Sequence, residues 1–343
     1  MVQSKFLRFL VSACLLVSAS AAPALAQEKP VNLKLSTWVP PSHPLHPVIR
    51  EWAESIEKDS NGTITATLFT SQQLGKATDH YDMARDGIAD FTYVNPGYQP
   101  GRFPIISASE LPFLAANGKS GSAAFDNWYR EYAVKEMADI HYCLGFLSEP
   151  GVLHARKKYI IPEEMKGLKL GSRNWTNANF VTLLGGSNVQ VSAPESRDVL
   201  ERGVADAVFF PWGSLILFGL DKVSSEHLDL PLYVSNFVWA MNKSRYNAMS
   251  DAQKKVIDKH CTNEWALKFA GPWADFEAGG RAKIAAMPGH HINTPTPEQV
   301  GLWRKAAEPL VAKWAEPVRK KGLNPDKVLE GYKSALAKQK ALY

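Results

Sequence analysis

Arg85-Asp86-Gly87-Ile88-Ala89-Asp90-Phe91-Thr92-Tyr93-Val94, running into Asn95-Pro96, is answered far along the chain by Glu201-Arg202-Gly203-Val204-Ala205-Asp206-Ala207-Val208-Phe209-Phe210, running into Pro211-Trp212. Each segment reads as a helix end, a capping Gly, an Ala-Asp turn and a short apolar strand stopped by Pro. The likeness predicts two similarly built α/β lobes. In open α/β sheets a ligand sits beyond the carboxyl ends of the strands. Tyr93 and Asn95 from one lobe, and Phe209, Phe210 and Trp212 from the other, are therefore expected at a shared cleft.

Towards the N-terminus, Val31-Asn32-Leu33-Lys34-Leu35-Ser36-Thr37 alternates in polarity as a strand does and enters the loop Trp38-Val39-Pro40-Pro41-Ser42-His43. Val48, Ile49, Trp52, Ala53 and Ile56 recur at helical spacing, Asn61-Gly62 ends that helix, and Thr63 to Phe69 alternates again. Strand, helix, strand opens a βαβ sheet. Towards the C-terminus, Ser192-Ala193-Pro194-Glu195 is a capping box for the helix that ends at the second Gly turn. Ser250-Asp251-Ala252-Gln253 is another, predicting one long helix towards Ala278 with a kink at Gly271-Pro272 and a stop at Gly279-Gly280. Thr296-Pro297-Glu298-Gln299 opens a further helix, and the basic stretch from Pro325 to Leu342 is helical with a solvated face.

The 343 residues, 45% hydrophobic and 21% charged, are those of a soluble globular chain, which excludes disorder, collagen and coiled coil. Lys5 and Arg8 ahead of the apolar run Phe9 to Val17, with Ala24-Leu25-Ala26 before Gln27, form an export signal cleaved near Ala26. Val11-Ser12-Ala13-Cys14 resembles a lipidation box, but the apolar run before Cys14 is too short for one. Without the signal the net charge falls from +5 to +3, and nothing in it asks for nucleic acid. No later run reaches the roughly 18 apolar residues of a membrane span. Cys143 and Cys261 allow one disulfide and no disulfide framework.

Leu33-Lys34-Leu35 with Pro40-Pro41-Ser42-His43-Pro44, Ser71-Gln72-Gln73-Leu74-Gly75, Gly101-Arg102-Phe103-Pro104, Glu110-Leu111-Pro112-Phe113, Met165-Lys166-Gly167-Leu168-Lys169-Leu170, Pro211-Trp212 and Met241-Asn242-Lys243 form an ordered series over nearly the whole mature chain. Together they resemble the extracytoplasmic solute receptors of TRAP transporters. The resemblance implies a monomeric periplasmic receptor of α/β class, a two-lobed clamshell with crossing strands and a long interlobe helix. Such a receptor closes on an organic acid and hands it to an ion-gradient-driven membrane permease. The implied organisation is 1–26 signal, 27–150 mainly the first lobe, 151–235 mainly the second, 236–285 a return to the first with the bridging helix, and 286–343 C-terminal helices across both.

Typical members place an Arg for the substrate carboxylate directly after the segment matching Gly167-Leu168-Lys169-Leu170; here that position is Gly171, and Arg173 follows two residues later. Positions i and i+2 of a strand share a face, so Arg173 can serve the same place. Its planar fork suits bidentate carboxylate binding, and a helix beginning near Asn174 to Asn177 adds N–H donors. Where many members carry an Asn before the Pro, this chain has Phe209-Phe210 and then Trp212. Trp38, Tyr93, Trp175 and Trp239 are further strand-end candidates, whereas Trp52 and Trp303 read as core. One Arg in an aromatic sleeve favours an aromatic monocarboxylate, benzoate-like or cinnamate-like, since rings pack by area and by offset or edge contacts. A phenolic hydroxyl would meet His43, Tyr93 or Asn95, and His154 on a crossing strand either lines the cleft or is a satisfied buried histidine. A small dicarboxylate or 2-oxo acid is the alternative ligand class.

Other chemistries find little support. Gly118-Lys119-Ser120 has Phe113 where a phosphate loop needs its first Gly. There is no Gly-x-Ser-x-Gly elbow, and neither His43-Pro44-Leu45-His46 nor Gly289-His290-His291 has the pattern of a zinc site. An exported hydrolase using scattered carboxylates has no pair marked by spacing. No metal, cofactor or catalytic residue is therefore expected.

Overall fold

The computed structural model describes residues 29–343; the export signal, its cleavage near Ala26 and Cys14 lie outside them. Strands β1 (Val31–Ser36), β2 (Ile64–Phe69), β3 (Phe91–Val94), β4 (Ile140–Leu147) and β10 (Asn236–Asn242) form one sheet in the order β2-β1-β3-β10-β4. Strands β5 (Gly151–Ala155), β6 (Lys169–Ser172), β7 (Ser187–Gln190), β8 (Ala207–Phe210), β9 (Glu226–Tyr233) and β11 (His291–Asn293) form a second in the order β11-β9-β5-β8-β6-β7. In the first, β1 is parallel to both neighbours and β10 antiparallel to both of its own. In the second, β6 takes the place of β1 and β5 that of β10, with the same directions.

The repeated turns obey one rule. In the first sheet the Asp90 N–H donates to the Lys34 carbonyl at 2.9 Å, and the Lys34 N–H donates to Asp90 Oδ2 at 2.8 Å. In the second, Asp206 and Lys169 make the same exchange at 2.7 and 2.8 Å. The preceding glycines, Gly87 and Gly203, have φ of +74° and +68°, the left-handed region that a side chain would strain. The chain crosses between sheets at β4–β5 and at β9–β10. There the Ser148 N–H donates to the Ser235 carbonyl and the Ser235 N–H to Ser148 Oγ, both at 2.9 Å.

The long helix expected from Ser250 is two helices, Asp251–His260 and Asn263–Ala285, the second capped by Thr262. The break falls at Cys261, which is disulfide-bonded to Cys143 on β4. Gly279-Gly280 does not stop the second helix. A Cβ at Gly280 would lie 2.2 Å from the Gly213 nitrogen, so this glycine serves a close crossing with the helix Trp212–Leu217. Among the described residues no helix is long and apolar enough to cross a membrane.

Candidate functional site

Between the sheets, beyond β1, β3, β6 and β8, lies a narrow cavity. Its walls carry Trp38, His43, Asn95, Tyr98, Arg173, Phe210, Phe237 and Trp273, with Ser148, Ser235 and Ser214 between the rings. Arg173 follows the end of β6 and is 5% exposed. Its guanidinium lies 3.8 Å from the centre of the Phe210 ring and donates through Nη2 to the Tyr233 hydroxyl. A Cβ at Gly171 would stand 2.8 Å from Val208 Cγ1, so the position two residues earlier is packed against β8. Gly151 is matched to Tyr233 in the same way, its imagined Cβ 2.3 Å from that ring. Asn174 caps the helix Trp175–Leu183 by accepting from the Asn177 N–H at 2.7 Å, which fixes the segment carrying Arg173.

The first lobe supplies the aromatic side. Trp38 stacks on Tyr93 at 5.0 Å and donates its Nε1 proton to the Tyr93 carbonyl at 2.9 Å. Phe237 stacks on Tyr93 from the neighbouring strand, and Trp273 meets Phe237 edge-on at 5.0 Å. Asn95 accepts the Gly97 N–H at 2.9 Å through Oδ1, which leaves its amide donors for other partners. Gly97 sits close against the other lobe, since a Cβ there would be 2.5 Å from that of Asn174. Tyr98 bridges the lobes too, its hydroxyl accepting from the Ala193 N–H at 2.8 Å.

His43 is buried, and its Nδ1 accepts the Leu45 N–H at 3.1 Å, so its proton is on Nε2. Burial, with His46 adding to it, lowers its pKa to about 3 and keeps it neutral. Behind Ser214, buried Glu277 from the long helix accepts from the N–H groups of Gly213 and Ser214 at 2.6 and 2.9 Å and from Trp273 Nε1 at 2.8 Å. Burial raises the pKa of this carboxyl, while its hydrogen bonds pull the other way. Arg173 is thus the one permanently ionised side chain among the lining residues.

Of the residues expected at the cleft, Trp38, His43, Asn95, Arg173 and Phe210 line the cavity together. Tyr93 is fully buried behind Trp38. Phe209 points to the opposite face of β8, against Tyr233, because successive strand residues alternate. Trp239 shares the face of Phe237 but lies farther from the crossover, in the core with Trp52 and Phe91. Trp212 is wedged between His154 and His227 at 5.2 and 5.5 Å. His154 is buried behind Phe210 and bonded to its carbonyl at 3.0 Å, which makes it a satisfied core histidine rather than part of the wall. Trp175 faces a separate cavity with Glu110 and Phe103.

Tyr98, Tyr233, Phe237, Trp273 and the serines were not anticipated. Phe237 had a sequence signal, two residues before Trp239 on an alternating strand, and Trp273 adjoined the Gly271-Pro272 pair. Tyr233 had none. Among the described residues, no group of three or more His, Cys, Asp or Glu side chains could hold a metal ion.

A family model described as bacterial extracellular solute-binding protein, family 7, matches residues 35–317. A TRAP solute-binding protein from Rhodoferax ferrireducens T118, in complex with copurified benzoate, is similar at 26% identity and a TM-score of 0.84, over 90% of this chain and 98% of its own. A marine metagenome TRAP solute-binding protein specific for aromatic acid ligands, co-crystallised with 3-hydroxybenzoate, is similar at 27% identity and a TM-score of 0.84, over 90% and 99%. One from Bordetella bronchiseptica with bound (R)- and (S)-mandelate, at 24% identity and a TM-score of 0.83 over 90% and 99%, shares the fold, as does one from Roseobacter denitrificans with β-D-glucuronate at 20% and 0.76 over 88% and 99%. The fold alone does not name the ligand.

Proposed function

The chain belongs to the bacterial extracellular solute-binding proteins of family 7, two-lobed receptors of TRAP transporters, and from that premise we propose that it captures an aromatic monocarboxylate in the periplasm and delivers it to a TRAP permease. The observation that carries the reading is one buried guanidinium, seated on Phe210 and held by Tyr233, in a cavity otherwise walled by neutral rings, hydroxyls and an amide. A carboxylate entering the closed cleft loses its water and recovers that cost through charge-assisted bonds to the Arg173 fork. The flat body of the ligand then packs between Trp38 and Phe237 on one side and Phe210 on the other, where ring contacts reward area. A second carboxylate would have no cation of its own and would approach buried Glu277, which disfavours dicarboxylates.

The binding step needs no catalytic residue, and the family and its solved relatives are solute-binding proteins. Members of this family are periplasmic, and the export signal of this chain fits that compartment, as does the Cys143–Cys261 disulfide. Export with cleavage near Ala26, and action as a monomer, belong to the same proposal. A thermal-shift screen tests it. At about 100 times its dissociation constant a ligand stabilises by about 2.7 kcal/mol. Benzoate, 3-hydroxybenzoate and cinnamate are expected to raise the melting temperature. Selective stabilisation by succinate or 2-oxoglutarate, with no response to aromatic acids, would replace the reading with the dicarboxylate or 2-oxo-acid one.

A further inference from the structure

Behind the wall of the cavity three imidazoles are bonded in series. His154 Nε2 meets the Phe210 carbonyl at 3.0 Å, His154 Nδ1 meets His227 Nδ1 at 2.7 Å, and His227 Nε2 meets His290 Nδ1 at 2.9 Å. The Phe210 carbonyl can only accept, and that one fact sets every proton in the neutral chain. His154 carries its proton on Nε2, so its Nδ1 is bare and must receive a proton-bearing nitrogen from His227. His227 is then protonated on Nδ1 and bare on Nε2, and His290 donates from Nδ1. The outer nitrogen, His290 Nε2, is left as an acceptor on the one member of the three that is only partly buried.

We infer that His154, His227 and His290 are a single-proton site, filled from solvent at His290 and coupled through Phe210 to the occupancy of Arg173. A proton taken by His290 Nε2 releases the His290 Nδ1 proton to His227 Nε2, and the His227 Nδ1 proton passes to His154 Nδ1. One proton enters and one positive charge results on His154; the two bonds between imidazoles survive with reversed polarity, and His154 Nε2 still donates to the Phe210 carbonyl. A second would set two N–H groups face to face, so the capacity is one.

His154 touches Phe210 through its carbonyl, while Arg173 covers the ring of the same residue at 3.8 Å. Burial, then His227 and Arg173, hold the pKa of His154 well below its ordinary value. Burial and His290 lower that of His227 to about 4. A ligand carboxylate paired with Arg173 cancels the repulsion from that side and raises the proton affinity of the chain. His291, exposed and 4.0 Å from Glu226, adds to the lowering at His227, whereas Asp229 is paired with Arg281. Arg156 is bonded to the carbonyls of Leu200 and Glu201, and Glu277 to the turn at Gly213 and Ser214.

Nitrogen-15 NMR of the histidine rings in the full chain tests the inference. Without ligand, above about pH 8, where ordinary histidines are neutral, His154 should show the Nε2–H form and both His227 and His290 the Nδ1–H form. On acidification the three should titrate together over one proton, and saturating benzoate should move their common midpoint to higher pH. Calorimetry of benzoate binding at about pH 5, the acidic side of the histidine range, in two buffers of different ionisation heat, should show net proton uptake of at most one, abolished by His227→Gln. An Nε2–H form at His290 without ligand above about pH 8, or three independent midpoints, would overturn the site. A midpoint unmoved by bound benzoate, or equal uptake in His227→Gln, would overturn the coupling. The coupling rests on the carboxylate sitting at Arg173, whereas the ligand-free spectra do not, so failure of the receptor reading and failure of the proton site are read separately.

Discussion

Arg173 holds its place because Tyr233 and Phe210 restrain a side chain that would otherwise lose much conformational freedom on binding. Tyr233→Phe keeps the ring and removes the hydroxyl. Because hydrogen bonds to charged groups are typically worth about 1.5–3 kcal/mol, the variant should bind benzoate about tenfold or more weakly in a fluorescence titration, with an unchanged melting temperature in the absence of ligand. Equal affinity would show that the guanidinium needs no anchor. A second residue-scale prediction concerns His80, whose Nδ1 meets the Lys76 carbonyl at 2.8 Å and whose Nε2 meets Ser36 Oγ at 3.1 Å. Burial lowers its pKa from the ordinary 6.5 to about 4. The folded state therefore binds fewer protons than the unfolded chain inside that window. The stability from neutral His80 is complete above the upper value and drains away as pH falls, by up to about 1.4 kcal/mol per pH unit. Relative to His80→Gln, which does not titrate, the parent should lose melting temperature steadily from pH 6.5 down to 4. A constant difference would mean that His80 binds its proton equally in the folded and unfolded chain.

At the scale of elements, the disulfide joins β4 to the end of the helix Asp251–His260 across 118 residues of chain. Closing so long a loop restricts the unfolded ensemble, and losing the bond should cost on the order of 2–5 kcal/mol. The Cys143→Ala, Cys261→Ala double variant should melt lower than the parent, and reductant should bring the parent to the same temperature. A parent indifferent to reductant would contradict the bond. The lobes themselves were legible in the sequence, because two Gly-x-Ala-Asp turns at strand starts are a local device. The exchange of hydrogen bonds that Asp90 and Asp206 make with Lys34 and Lys169 explains why the motif recurs. Arg173, Trp38 and Phe210 were legible for a similar reason, since each stands at or just past the end of a strand. Tyr233 was not, because its role depends on where β9 ends beside Gly151, a tertiary register that no local pattern encodes. The same strand-end argument places Tyr93, Phe209, Trp212 and Trp239 at the cleft, whereas they lie behind its wall. Aromatic residues that support a wall and those that form it look alike until the facing element is known. The split of the helix at Cys261 is not legible in the sequence, because helical periodicity runs on through the break and the spacing of Cys143 and Cys261 leaves their disulfide an open possibility.

In the whole molecule, two sheets of one plan meet at a cleft between their strand ends, where a single buried cation on a ring is the proposed selector of the ligand. Gly97 of one lobe lies against Asn174 of the other, directly beside Arg173, so the carboxylate is expected to report both charge pairing and lobe contact. Calorimetric titration of benzoate and of succinate into the parent and into Arg173→Ala tests this most directly. The parent should bind benzoate with a clear preference over succinate. Truncating one member of a buried charge pair typically costs on the order of 2–5 kcal/mol, roughly thirty-fold to several-thousand-fold in affinity; Arg173→Ala should lose that much for benzoate while melting as the parent does. An Arg173→Ala protein that binds benzoate as tightly as the parent, or a parent that prefers succinate, would contradict the account.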